Sequence, residues 1–177
     1  PMKKLLIVVD YQKDFVDGSL GFSGAELLDA PIAAKIAAYR AAGDDVVFTF
    51  DTHAPGYLNT QEGRRLPAVH CVRGSEGWAL YGETAKAAHE DDRRFEKPTF
   101  PSLALGEWLK GQDYGQIELV GLVSNICVLS NAVIAKAALP EAEIVVDASC
   151  TASFDPALHE KCLDVLEGLQ VTVTNRA

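Results

Sequence analysis

The sequence has no C-x-x-C pair, no apolar run long enough to span a bilayer, and no basic stripe. Each absence removes a class of protein. Its four cysteines, Cys71, Cys127, Cys150 and Cys162, lie too far apart for a zinc ribbon or a dithiol redox motif. A membrane helix needs about 20 consecutive apolar residues, and no stretch approaches that length. With 16 Lys and Arg against 25 Asp and Glu, the formal charge of -9 repels phosphate backbones and anionic lipid. Neither nucleic acid nor membrane is expected as a partner. The opening Pro1-Met2-Lys3-Lys4 enters an apolar stretch without a signal-peptide core, and Pro1 ahead of Met2 reads as a cloning remnant. The expectation is a cytoplasmic protein with free thiols.

What is present is ordinary globular material: 177 residues, 48% of them hydrophobic, suited to one domain over residues 1–177. Short β-branched runs alternate with helical stretches. Leu5–Val9, Val46–Phe50, Arg94–Glu96, Ile117–Gly121, Glu143–Val146 and Val171–Val173 read as strands. The continuously apolar first run suits a strand buried on both faces of a parallel sheet. Ile32–Ala42, Trp78–His89, Leu103–Lys110, Asn125–Ala138 and Pro156–Leu166 read as helices, the last with Asp155 as N-cap and Pro156 at its first position. These alternating elements predict a three-layer α/β/α, Rossmann-like fold around a mostly parallel six-stranded sheet. The long irregular stretch from Thr52 to about Gly77 is unusual inside a compact domain unless it binds something.

Open α/β sheets bind ligands beyond the carboxyl ends of their strands. Those ends carry Asp10, Asp51, Lys97, Asp147 and the turn from Leu122 to Cys127. Taken singly, Asp10 reads equally well as a cap, Lys97 as a solvated loop lysine and Cys127 as a small buried hydrophobe. The position of Cys127, after a strand and at a helix start, favours a nucleophile whose pKa the helix N-terminus lowers. The other cysteines lack that setting and are expected to pack the core. His89 and His159 are placed on helix surfaces, away from the chemistry.

Taken together, these segments resemble a known family. Val9-Asp10-Tyr11-Gln12-Lys13-Asp14-Phe15 is similar to the D-x-Q-x-D-F opening of isochorismatase-like cysteine hydrolases. Glu96-Lys97-Pro98 resembles their lysine segment, and Gly121-Leu122-Val123-Ser124-Asn125-Ile126-Cys127-Val128 their nucleophile segment. Within the family the likeness is to the nicotinamidase branch.

The resemblance implies Asp10, Lys97 and Cys127 as catalytic residues cleaving a small amide through a thioester. It implies a cis peptide at Leu122–Val123 and an oxyanion hole from the N–H groups of Val123 and Cys127. It implies one divalent ion, Zn, Mn or Fe, on Asp51, His53 and His70, with Glu62 as a further candidate ligand and no organic cofactor. Phe15 and Leu20 match pocket positions. Leu66-Pro67 stands where a Trp is usual, and Ile126 where a polar or aromatic residue is frequent. A homodimer or homotetramer is expected. Other small amides, carbamoyl amines or isochorismate remain alternative substrates, and a silent scaffold homologue is the alternative of another class.

Overall fold

The structure is a computed structural model that describes residues 2–177; Pro1, read above as a cloning remnant, lies outside them. Its centre is a six-stranded sheet in the order β3-β2-β1-β4-β5-β6. The strands are β1 (Lys4–Val9), β2 (Asp45–Asp51), β3 (Arg94–Lys97), β4 (Gln116–Leu122), β5 (Glu143–Ala152) and β6 (Thr172–Thr174). Every pairing is parallel, so the expected mostly parallel sheet is wholly so. The chain winds outward from β1 to β3, then returns to β4 and winds the other way. Strands β1 and β4 therefore flank the switch point, where a crevice opens at their carboxyl ends.

Strand β1 shows why the sheet lies between two layers. Leu5, Ile7 and Val9 enter one core with Leu105, Leu109, Ala132, Ala135, Leu163 and Leu166. Leu6 and Val8 enter the other with Ile32, Ile36, Phe48 and Val120. The helices behind these cores are α5 (Leu103–Leu109), α6 (Leu129–Ala138) and α7 (Pro156–Gly168) on the first face, and α2 (Asp29–Ala41) on the second. Three short helices, α1 (Lys13–Val16), α3 (Gln61–Arg65) and α4 (Gly82–Ala87), sit in the connections. Asp155 caps α7 as expected, its side chain accepting the Leu158 N–H.

Three expectations need correction. The helix read over Trp78–His89 shrinks to α4, because Gly82 takes a left-handed φ of 59° and the Asp29 carboxylate receives the N–H groups of Glu83 and Thr84. His89 is exposed and not helical. Strand β5 does not stop near Asp147 but runs on to Ala152, across a register irregularity against β4. Asp147 instead joins an inner network, its carboxylate 2.7 Å from the Lys35 ammonium, which also lies 2.7 Å from Glu118. Finally, α6 starts at Leu129, not Asn125, because Ser124–Val128 form a π-helical turn.

Candidate active site

Strand β1 ends in Asp10, whose left-handed φ of 47° turns its side chain out of the sheet pattern. The hydroxyl of Thr49 on β2 donates to Asp10 Oδ1 at 2.6 Å, fixing the carboxylate. Two residues on, the buried Gln12 donates to the carbonyls of Asp51 and Trp78 and accepts the Asp51 N–H, all at 2.9 Å. Asp14 accepts the N–H of Cys71 at 2.7 Å. The D-x-Q-x-D-F segment thus places its first carboxylate in the crevice and uses Gln12 and Asp14 to anchor the neighbouring strand end and loop.

On the other side of the switch point, β4 reaches Gly121, with φ 115°. A Cβ there would lie 2.0 Å from the Val9 carbonyl oxygen, so only glycine lets β4 approach β1 this closely. The Leu122–Val123 peptide is cis, as expected. The π-helical turn then presents Cys127, and turns of this kind recur at functional sites. Asn131, fully buried on α6, donates to the carbonyls of Cys127 (2.8 Å) and Phe100 (3.1 Å) and accepts the Ser102 N–H (2.9 Å). It ties the nucleophile segment to the chain following Lys97.

Lys97 ends β3 and is 1% exposed. Its ammonium lies 2.6 Å from Asp10 Oδ2, 3.4 Å from Cys127 Sγ and 3.1 Å from the Thr99 carbonyl oxygen. Burial works against its charge, but Asp10, Cys127 and Asp51 outweigh that and hold Lys97 above its usual pKa. Burial raises the Asp10 carboxyl, Lys97 opposes the rise, and Asp51 adds to it. The expected low thiol pKa is not found. Burial and the charge of Asp10 push Cys127 well above the ordinary cysteine value, against the pull of Lys97. The thiol is 5% exposed in its pocket, and that loss of water disfavours the thiolate.

Beside this group, His53 Nε2 and His70 Nε2 lie 3.0 and 3.2 Å from the same oxygen, Asp51 Oδ2. Glu62 Oε2 stands 3.6 and 3.7 Å from the two nitrogens. Burial raises the Asp51 carboxyl, but the hydrogen bonds of His53 and His70 and the charge of Lys97 overcome it and hold Asp51 low. His70 Nδ1 lies 2.7 Å from the Ala68 carbonyl oxygen, an acceptor that would hold the proton on Nδ1 and leave Nε2 for a metal ion. Asp51 Oδ1 and Glu62 Oε1 are buried and have no hydrogen-bond partner among the described residues. Two imidazoles and carboxylates with orphaned oxygens fit a divalent ion such as zinc, manganese or iron(II).

The two groups open on one cavity of about 350 Å³, whose wall includes Asp51, His70 and Cys127. All four side chains expected in the pocket, Phe15, Leu20, Leu66 and Ile126, line it. Phe100 and Phe154 also line it, and sequence reasoning missed both because neither lies in a recognisable segment. Trp78 does not replace the missing tryptophan: its indole N–H bonds the Thr52 hydroxyl and its ring packs on Phe50. All four cysteines are buried and free. His159, expected on an open surface, is half-buried and bonds Ser124.

A doubly wound sheet with carboxylate, ammonium and thiol gathered at its switch point defines an α/β protein of the hydrolase type. Residues 4–177 match the isochorismatase domain, and the chain belongs to the isochorismatase family. A curated relative from Bacillus subtilis (strain 168), described as the uncharacterized isochorismatase family protein PncA, is 34% identical over 170 residues, covering 89% of this chain and 91% of its own. The crystal structure of nicotinamidase/pyrazinamidase PncA from Bacillus subtilis is similar with a TM-score of 0.86 and 30% identity, across 97% of this chain and 99% of that one. N-carbamoylsarcosine amidase from Thermoplasma acidophilum aligns with a TM-score of 0.81 and 26% identity, over 97% and 95% of the two chains. Pyrazinamidase of Pyrococcus horikoshii, in complex with zinc, shares the fold at 20% identity and a TM-score of 0.85, over 98% and 99%. The chain is an amidohydrolase of this family.

Proposed function

We propose that the protein hydrolyses nicotinamide to nicotinate and ammonia through a thioester on Cys127, with residues 1–177 acting as one domain. The observation that carries this reading is the single ammonium of Lys97 placed 2.6 Å from Asp10 and 3.4 Å from Cys127. Packing alone gives no reason to bury those three groups together. The similarity to the Bacillus subtilis nicotinamidase supports the choice of substrate.

Asp10 takes the proton of Cys127, and its raised pKa suits it to do so. Sulfur attacks the amide carbon, forming the C–S bond and a tetrahedral oxyanion that the N–H groups of Val123 and Cys127 receive. Each such donor typically lowers the barrier by about 2.7–4 kcal/mol. Asp10 returns the proton to nitrogen as the C–N bond breaks and ammonia leaves. Water then attacks the thioester, giving up one proton to Asp10; the C–S bond breaks, Asp10 passes that proton to sulfur, and the acid departs. Throughout, Lys97 keeps its charge and offsets the negative charge on sulfur and carboxylate.

Asp51, His53 and His70, with Glu62 nearby, would hold the divalent ion. When bound it supplies a Lewis-acid anchor for a substrate heteroatom such as a ring nitrogen. Phe100 and Phe154 offer the aromatic surface that Leu66-Pro67 does not. A second reading, hydrolysis of an N-carbamoyl amine, draws on that changed wall and on the likeness to N-carbamoylsarcosine amidase.

The proposal extends to a homodimer or homotetramer in the cytoplasm. Four buried free thiols suit a reducing compartment, and no helix of the described residues is long and apolar enough to cross a membrane. Ammonia release from nicotinamide, pyrazinamide and N-carbamoyl amines, with pyruvate release from isochorismate, separates the readings. Turnover of nicotinamide above the others is expected; no release from any amide would defeat the proposal.

A further inference from the structure

Ser124 opens the π-helical turn that carries Cys127, and its side chain is fully buried. Two groups from one face of α7 grip it. His159 Nδ1 lies 2.7 Å from the Ser124 hydroxyl, and Cys162 Sγ donates to the Ser124 carbonyl oxygen at 3.2 Å. The hydroxyl has no other hydrogen-bond partner among the described residues. Burial lowers the His159 pKa, so the ring is neutral at neutral pH and one nitrogen is free to accept the hydroxyl hydrogen. Nothing in the proposed chemistry uses His159 directly.

We infer that His159 is a positioning residue: through Ser124 it fixes the turn that sets Cys127 Sγ and the neighbouring N–H groups in reacting geometry. The inference rests on Cys127 being the nucleophile. Asn131 and Ser130 hold the far part of the turn through the carbonyls of Cys127 and Ile126. The Ser124 side chain, clamped from α7, holds its start, where the chain leaves β4. The adjoining carbonyl bond from Cys162 is weak by its chemistry, since a thiol is a poor donor, so the imidazole carries most of the clamp. Misplacing a reacting atom by about 1 Å can cost about 100-fold in rate, which makes a clamp remote from substrate consequential.

The test compares His159→Leu, His159→Asn, Ser124→Ala and the Ser124→Ala/His159→Leu double variant. Turnover of nicotinamide and the rate of iodoacetamide alkylation at Cys127 are measured together. Asn places a polar atom near the position of Nδ1, whereas Leu places none. His159→Leu is expected to lose 10- to 100-fold in kcat with KM within about threefold, and His159→Asn to recover most of it. Because one clamp is involved, the double variant is expected to lose no more than the worse single variant. Equal losses in His159→Asn and His159→Leu, additive losses in the double variant, or a kcat within twofold of the parent would overturn the inference. If His159→Leu does not fold, Ser124→Ala with His159→Asn decides on the same readouts. Should the parent release no ammonia from any amide, the proposed function fails by itself. The alkylation rates of the parent and the four variants then still decide the clamp, with a changed rate in His159→Leu, its restoration in His159→Asn and non-additivity in its favour, and unchanged or additive rates against it.

Discussion

Lys97 Nζ and Asp10 Oδ2 lie 2.6 Å apart with neither side chain exposed to water. Lys97→Met keeps the volume but leaves Asp10 and Asp51 without their cation. Removing one partner of a buried pair typically costs about 3–5 kcal/mol, so melting is expected to fall by roughly 10 °C or more, along with loss of turnover. Thermal denaturation and an ammonia assay check both. An unshifted melting curve would mean that the ammonium does not hold the carboxylates.

Cys127→Ser and Cys127→Ala should abolish turnover while changing stability by about 1 kcal/mol at most, a small loss for one sulfur at the cavity wall. Retention of more than a few per cent of activity in Cys127→Ala would rule out the thioester.

Because burial and Asp10 keep the Cys127 thiol protonated, its alkylation should accelerate as the pH rises above neutrality. Asp10→Asn removes the larger repelling charge and leaves Lys97 facing Asp51, 3.6 Å away. Alkylation at neutral pH is therefore expected to hold or rise, while amide turnover falls about 100-fold or more for want of its proton carrier. Parallel losses in the two assays would contradict this division.

Chelation of the divalent ion, followed by dialysis, should raise KM for nicotinamide at least about 10-fold and leave Cys127 alkylation within twofold. Readdition of zinc, manganese or iron(II) is expected to restore binding. Elemental analysis of His53→Ala and His70→Ala should show metal lost.

The Asp147 carboxyl is held down at about 2: burial raises it, but Lys35, Ser149 and Asn175 outweigh that through hydrogen bonds. A depressed carboxylate stabilises the fold above its unfolded pKa, and that contribution disappears as the pH falls from there through the folded value. Between the ordinary carboxylate range and about pH 2, stability of the parent should decline more steeply than that of Asp147→Asn. Equilibrium denaturation across that window measures the two slopes; identical slopes would place Asp147 outside acid unfolding.

Much of the fold was legible because apolar runs bounded by Gly and Pro mark buried parallel strands whatever surrounds them. Asp10, Asp51 and Lys97 were readable as strand-end residues for the same reason. The end of β5 was not, since its continuation Asp147–Ala152 mixes Asp, Ala, Ser, Cys and Thr and is held by pairing with β4 rather than by its own pattern. The π-helical turn looked like an ordinary helix start, as it differs only in which carbonyl each N–H reaches. Thr49, Asn131, Phe100, Phe154 and His159 carry no local signal. Their roles depend on neighbours tens of residues away, as with Ser124 and His159. The raised thiol pKa was not legible because helix position is written in sequence and burial is not.

The order β3-β2-β1-β4-β5-β6 divides the chain at the connection between α5 and β4, residues 110–115. Everything before it supplies Asp10, Asp51, His53, Glu62, His70 and Lys97; everything after it supplies Cys127. Neither fragment contains both Cys127 and Asp10, and Asn131 joins the two across the division. Cutting there would give two complementary pieces whose reunion restores the thiol to its carboxylate, so that recovered turnover reports the association of whatever each piece is fused to.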